Sequence, residues 1–192
     1  YDEAKKVVGH FAEALQNKKI EKIGQNIKFD MVVLRKYDVK VSGPLFDTMI
    51  VHYLLNPELH HNMDYLSETY LKYKPVSIEK LIGPKGKNQL TMRDVPVEQV
   101  AEYAAEDADI TLQLKNYFAP VLKKEGLESL FFDMEMPLIY VLEEIEITGI
   151  TLDIEALKQS SRTLTAALIS LEEEIYALAG MPFNINSTKQ VG

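Results

Sequence analysis

Apolar residues recur at helical spacing along almost the whole chain, and this pattern limits the fold more than any other feature. Only two short stretches, around residues 22–24 and 44–46, read as strands. A helical register runs through Val7, Val8, Phe11, Leu15 and Ile20. A second helix, with Asn26 as its expected N-cap, carries Ile27, Met31 and Leu34 on one stripe. Further helices are expected over 47–55 and 63–73, then a long one after Asp94 that admits Pro96 in its first turn and runs to about Tyr117. Past Gly126 the pattern is helical alone, over 134–147 and 154–178, with a short extended break at residues 149–153. Strands and helices followed by helices only predict an α/β domain with an all-α extension.

Charge divides the chain at the same place. The net charge is −8, yet Tyr1 to Gly126 carries 18 acidic and 18 basic side chains, whereas Leu127 onward carries 11 acidic and 3 basic. Two units are expected, 1–126 and 127–192. The acidic balance excludes a duplex-binding module built on clustered Lys and Arg. With no cysteine, disulfides, thiolate metal sites and a cysteine nucleophile are excluded, so any metal must be held by carboxylates or histidines. No apolar run is long enough to span a bilayer and no secretory leader opens the chain, so no membrane contact and a cytoplasmic location are expected. The loop Gly83-Pro84-Lys85-Gly86-Lys87-Asn88 looks like a phosphate-binding loop only superficially, because no Ser or Thr follows a Gly-Lys pair. The start at Tyr1 within a helical pattern, and the capping box from Ser187 to Gln190 close to the last residue, predict a longer natural polypeptide.

Two acids stand where solvated acids do not belong. Asp30 lies three residues after Ile27 and four before Leu34, on their apolar stripe, although a first-turn Asp also complements the helix dipole. Asp107 lies between Val100 and Ala104 on one side and Thr111 and Leu114 on the other, while Glu106 and Asp109 point elsewhere. Ionised carboxylates facing a core need a cation or hydrogen-bond donors, and hard oxygen ligands suit Mg²⁺ or Mn²⁺. Tyr103, one turn before Asp107, puts a phenol beside that carboxylate. Such a pair can position a water, or it can be an inward tyrosine hydrogen-bonded to a neighbour. The histidines offer no rival: His60 and His61 are adjacent, and neither His10 nor His52 has a partner at ligand spacing.

The string Gly24-Gln25-Asn26-Ile27-Lys28-Phe29-Asp30 resembles the second exonuclease motif of family A DNA polymerases of the bacterial DNA polymerase I type. Tyr103-Ala104-Ala105-Glu106-Asp107-Ala108-Asp109 resembles their third. Phe46-Asp47-Thr48, Asn62-Met63-Asp64-Tyr65-Leu66, Gly86-Lys87-Asn88-Gln89-Leu90-Thr91, Glu135-Met136-Pro137-Leu138 and Phe183-Asn184-Ile185-Asn186-Ser187-Thr188-Lys189-Gln190 extend the resemblance nearly end to end. It implies a ribonuclease-H-like 3′-5′ exonuclease fold, a mixed sheet flanked by helices with its early strands missing, followed by an all-α segment leading into a polymerase thumb. It also implies proofreading of DNA in replication and repair, with a single-stranded 3′ end as partner, in a nucleoid-associated bacterial protein.

By the same resemblance Asp30 and Asp107 are catalytic carboxylates and metal ligands, Tyr103 orients the attacking water, and Asn26 binds substrate. Two divalent cations, Mg²⁺ with Mn²⁺ or Zn²⁺ as alternatives, would serve the intact parent. The family's first motif, an Asp-x-Glu, does not stand between Tyr1 and Asn26. This chain alone is therefore expected to bind metal weakly, to trim no DNA and to add no nucleotides, and an exposed sheet edge is expected to favour self-association. Two alternatives compete. A non-catalytic, structural exonuclease-like domain is opposed by the retention of Asp30, Tyr103 and Asp107. A ribonuclease-D-like 3′-5′ exoribonuclease is opposed by the polymerase-like stretch 135–190.

Overall fold

A computed structural model describes residues 2–191. The chain falls into two compact units, one through Thr148 and one from Gly149 on. The change in charge balance after Gly126 lies inside the first.

The first unit opens with α1 (Asp2–Gly9) and α2 (Ala12–Gln16), then alternates β1 (Lys22–Gly24), α3 (Ile27–Arg35), β2 (Leu45–Asp47) and α4 (Thr48–Leu55). Among the described residues the sheet is two strands, β1 and β2, paired in parallel with Ile23 opposite Phe46. The fold is thus mostly helical around a small parallel sheet, where a mixed sheet was expected. Parallel neighbours need a crossover, and α3 supplies it. The second strand begins one residue later than the pattern suggests: Pro44, lacking an N–H, joins the ladder only by accepting from Lys22 N at 2.9 Å.

Beyond the sheet, α5 (Met63–Leu66) passes into a π-helical turn at Ser67–Leu71 that ends at Lys72 with φ 57°. After α6 (Glu79–Ile82) comes α7 (Val97–Lys124), which runs past the expected end at Tyr117 with Pro120 inside it. A π-helical segment, Leu130–Glu135, then turns Phe131 into the core before α8 (Met136–Thr148). Core packing explains the long helix: Ile110, Thr111, Leu114, Phe118 and Leu122, at three- and four-residue spacing, are all buried. They pack with Met31, Phe46, Val51, Leu66 and Phe131 in a single cluster. The N-terminal half of the same helix is largely exposed, Ala104 included, so the inward stripe expected around Asp107 is apolar only on its C-terminal side.

Every fully buried hydrophobic residue described belongs to this unit, the last being Ile139. The second unit holds α9 (Ile154–Ala179) and α10 (Thr188–Val191). Asp153 caps α9 by accepting from Ala156 N at 2.9 Å, and Gly180, at φ 70°, closes it. The box expected at Ser187 forms differently: Gln190 Oε1 accepts from Asn184 N at 2.8 Å.

Candidate active site

The turn from β1 into α3 presents the first carboxylate, and each of its residues has a local task. A Cβ on Gly24 would lie 2.7 Å from Ile27 Cβ, so only glycine lets the strand pass this close to the helix. Gln25 donates to the His61 carbonyl at 2.7 Å and accepts from the Thr48 hydroxyl. Asn26 takes a left-handed conformation, φ 58°, which asparagine tolerates better than most residues.

Asn26 occupies the cap position, but its side chain makes no cap hydrogen bond. The expected cap is replaced by Asp47, whose carboxylate accepts from Ile27 N at 2.7 Å and Asn26 N at 3.3 Å. The same carboxylate accepts from Met49 N at 2.8 Å and Ile50 N at 3.1 Å. One buried acid therefore caps two helices, α3 and α4, and fixes the turn. Burial pushes the Asp47 carboxyl up, against the pull of these four donors.

Asp30, in the first turn of α3, and Asp107, on α7, line one cavity of about 560 Å³, together with Gly24, Gln25, Met63 and Thr111. Asp30 stands at its exposed flank and Asp107 is half-buried. Burial is the largest cause raising both carboxyls. Negative neighbours add to it, Asp47 for Asp30, and Glu106 and Asp64 for Asp107. Tyr103 is half-buried and hydrogen-bonded to Asp107; burial and that carboxylate push its phenol up to about 12. It is therefore a neutral O–H donor over the physiological range. Glu106 turns away, as its spacing predicts, and accepts from Tyr73 Oη at 2.5 Å and Val76 N at 2.9 Å.

The sequence pattern thus brings Asp30, Tyr103 and Asp107 to one site and leaves Asn26 exposed on its approach. It missed Asp64, which acts on both Tyr103 and Asp107 and offered no signal beyond one more surface acid. It also missed a buried histidine pair: His52 Nδ1 lies 2.6 Å from His61 Nδ1, and His52 Nε2 lies 2.8 Å from Tyr70 Oη. The donor chemistry of the cavity fits a hard cation, two carboxylates without a soft ligand. Among the described residues, however, no group of three or more His, Cys, Asp or Glu side chains is placed to hold a metal ion. Nor is any described helix long and apolar enough to cross a membrane.

Comparison with known proteins gives the same picture. The 3′-5′ exonuclease family of A-type DNA polymerases matches residues 2–123. DNA polymerase I of Chloroflexus aurantiacus is 42% identical over 186 residues, 96% of this chain and 20% of that protein. DNA polymerase I of Rhizobium leguminosarum is 38% identical over 179 residues, 93% of this chain and 17% of the relative. The chain thus spans about a fifth of the length of these relatives. Among solved structures, the POL domain of Pol1 from M. smegmatis, in complex with DNA primer-template and dNTP, has the same fold. The TM-score is 0.77 at 21% identity, over 95% of this chain and 28% of that one. With the family match covering most of the chain and similar relatives aligned nearly end to end, the chain belongs to the 3′-5′ exonuclease family of A-type DNA polymerases.

Proposed function

We propose that this chain is the proofreading region of a bacterial DNA polymerase, residues 1–126 forming a ribonuclease-H-like exonuclease domain and residues 127–192 opening the polymerase domain. The substrate is a frayed, single-stranded 3′ DNA end, and the product is a nucleoside monophosphate. Asp30 and Asp107 are the metal-binding carboxylates, Tyr103 is a catalytic residue that orients the attacking water, and Asn26 contacts the DNA end. The observation that carries this reading is the shared cavity, into which two separate helices bring desolvated acids with no basic partner among its lining residues.

The division of labour follows from each side chain. Tyr103, protonated and bound to Asp107, can hold a water by its oxygen while its O–H stays committed to the carboxylate. Asp30 and Asp107, desolvated and mutually acidic, gain from a divalent cation more than solvated acids would. When bound, such ions supply Lewis-acid activation of water and neutralise charge on the scissile phosphate. Two carboxylates fall short of a full ligand set, so the 192-residue chain binds cations weakly and trims DNA negligibly.

The test has two arms. Mn²⁺ titrated into the ¹⁵N-labelled chain should broaden the amide signals around Asp30 and Asp107 first, and Asp107→Asn should abolish the effect. Broadening centred elsewhere, or unchanged in the variant, would overturn the metal assignment. Labelled single-stranded DNA with Mg²⁺ or Mn²⁺ should stay uncut; robust trimming that Asp107→Ala abolishes would overturn the claim that the set is incomplete.

A further inference from the structure

The second unit carries a feature the exonuclease reading does not use. Helix α9 runs 26 residues, about 39 Å, without burying one of them. Its large apolar residues are nevertheless not scattered. Ile154, Leu157, Leu164, Leu168, Leu171, Ile175 and Leu178 follow a three-four alternation that also passes through Ser161. This is a 3.5-residue repeat sustained for more than three heptads, the pattern that makes two helices supercoil with interlocking side chains. All seven are exposed, from 38% for Ile175 to 90% for Leu178.

We propose that α9 pairs with α9 of a second copy of this chain, antiparallel, as a coiled coil. The register is self-complementary. Reversing one helix about a point near Ala166 sets Ile154 against Leu178 and Ile175 against Leu157 of the second copy. Leu168 then meets Leu164, and only Ser161, opposite Leu171, breaks the apolar seam.

Charge selects both the occupant and the direction. Lys158 and Arg162 lie in the first half of the helix, and Glu172, Glu173 and Glu174 in the second. In the antiparallel arrangement Lys158 flanks the seam opposite Glu172 of the other copy, twice per dimer. A parallel pair would bring the two runs of three glutamates together. Lys158 holds Glu155 of its own helix at 2.9 Å, an exposed pair too weak to compete with an arrangement that also buries the seam.

The experiment is analytical ultracentrifugation of the full chain across a dilution series. A concentration-dependent rise from the mass of one chain toward two is expected. Leu168→Glu should give a single chain at every concentration with unchanged far-UV circular dichroism, since α9 contributes nothing to the first unit's core. Glu172→Lys, which opposes Lys to Lys, should weaken association about tenfold, and adding Lys158→Glu should restore it.

Direction is read separately, because the chain has no cysteine of its own. Oxidising a mixture of Ile154→Cys and Leu178→Cys chains should give the mixed cross-link over either self-cross-link. A single chain throughout would overturn the proposal and leave the face to another occupant. A dimer indifferent to Leu168→Glu would place the interface elsewhere, and preferred self-cross-links would overturn the antiparallel arrangement.

Discussion

Two neighbouring regions of the first unit handle buried acid in opposite ways. At the head of α4, Asp47 is 1% exposed and receives four backbone N–H donors. In the cavity beside it, Asp30 and Asp107 are also raised by burial, but their charged neighbours are further acids, relieved only by Asp30's own N–H and by Tyr103. All three carboxyls shift in the same direction for the same first cause. A raised carboxyl does not by itself mark a functional acid; what surrounds it does. Donors aimed at Asp47 make it a structural part, and acids gathered around Asp30 and Asp107 leave a charge that a cation would neutralise.

The sharpest way to break this contrast is to remove the donor-rich acid. Asp47→Ala strips the caps of both α3 and α4 and leaves buried N–H groups unpaired. It should cost about 4 kcal/mol, from two lost caps plus unsatisfied donors. Urea unfolding of the variant measures it. A loss under about 1 kcal/mol would mean that water replaces the carboxylate easily, and Asp47 would no longer differ from its neighbours.

The buried histidine pair extends the contrast to a group that titrates in an accessible range. His52 is fully buried, its two ring nitrogens occupied by His61 and Tyr70. Neutral, the pair shares one proton between facing Nδ1 atoms; doubly protonated, the two N–H groups collide. Burial, with His61 second, lowers the His52 pKa to about 4 from 6.5. The native state therefore binds fewer protons than the unfolded chain between these values. Its stabilising share is complete above 6.5 and is lost as pH falls toward 4, by up to about 3 kcal/mol. Stability measured from pH 7 to 4 should fall more steeply in the wild type than in His52→Gln; equal slopes would show that the pair does not titrate as a unit.

Gly24 shows what was legible in the sequence and what was not. Asp30, Tyr103 and Asp107 could be placed because one helix's register, read from apolar spacing, determines which side chains share a face. The roles of Gly24, Asn26 and Asp47 could not, because they depend on where β1 and β2 bring two helix starts together. Asn26 was taken as the cap from its position alone, while the true cap arrives from 20 residues further on. His52 and His61, nine residues apart with an irregular loop between them, give no periodic signal at all. The expected mixed sheet was a matter of family pattern, and the described residues supply two parallel strands of it. Gly24→Ala tests the turn directly: with Ile27 Cβ 2.7 Å from the new methyl, the strand or helix must shift, at about 2 kcal/mol. A neutral outcome by urea unfolding would show the turn to be pliable.

The smallest effect discriminates best. Asp107 is half-buried, so solvent screening limits what its charge costs the fold to about 1 kcal/mol or less. Its carboxyl is raised in the native state, first by burial and then by Glu106 and Asp64. The native state therefore holds the proton more readily than the unfolded chain, and the fold loses stability as pH rises through the native pKa. Asp107→Asn removes that charge while leaving Tyr103 an acceptor. At neutral pH the variant should match or slightly exceed wild-type stability in urea, and the gain should vanish once the wild-type carboxyl is protonated. Millimolar Mg²⁺ should reverse the order, if only slightly, because a cation that binds the native state raises its stability and the variant has lost a ligand. A variant clearly less stable than wild type without metal would put Asp107 in the same class as Asp47, a carboxylate kept for structure.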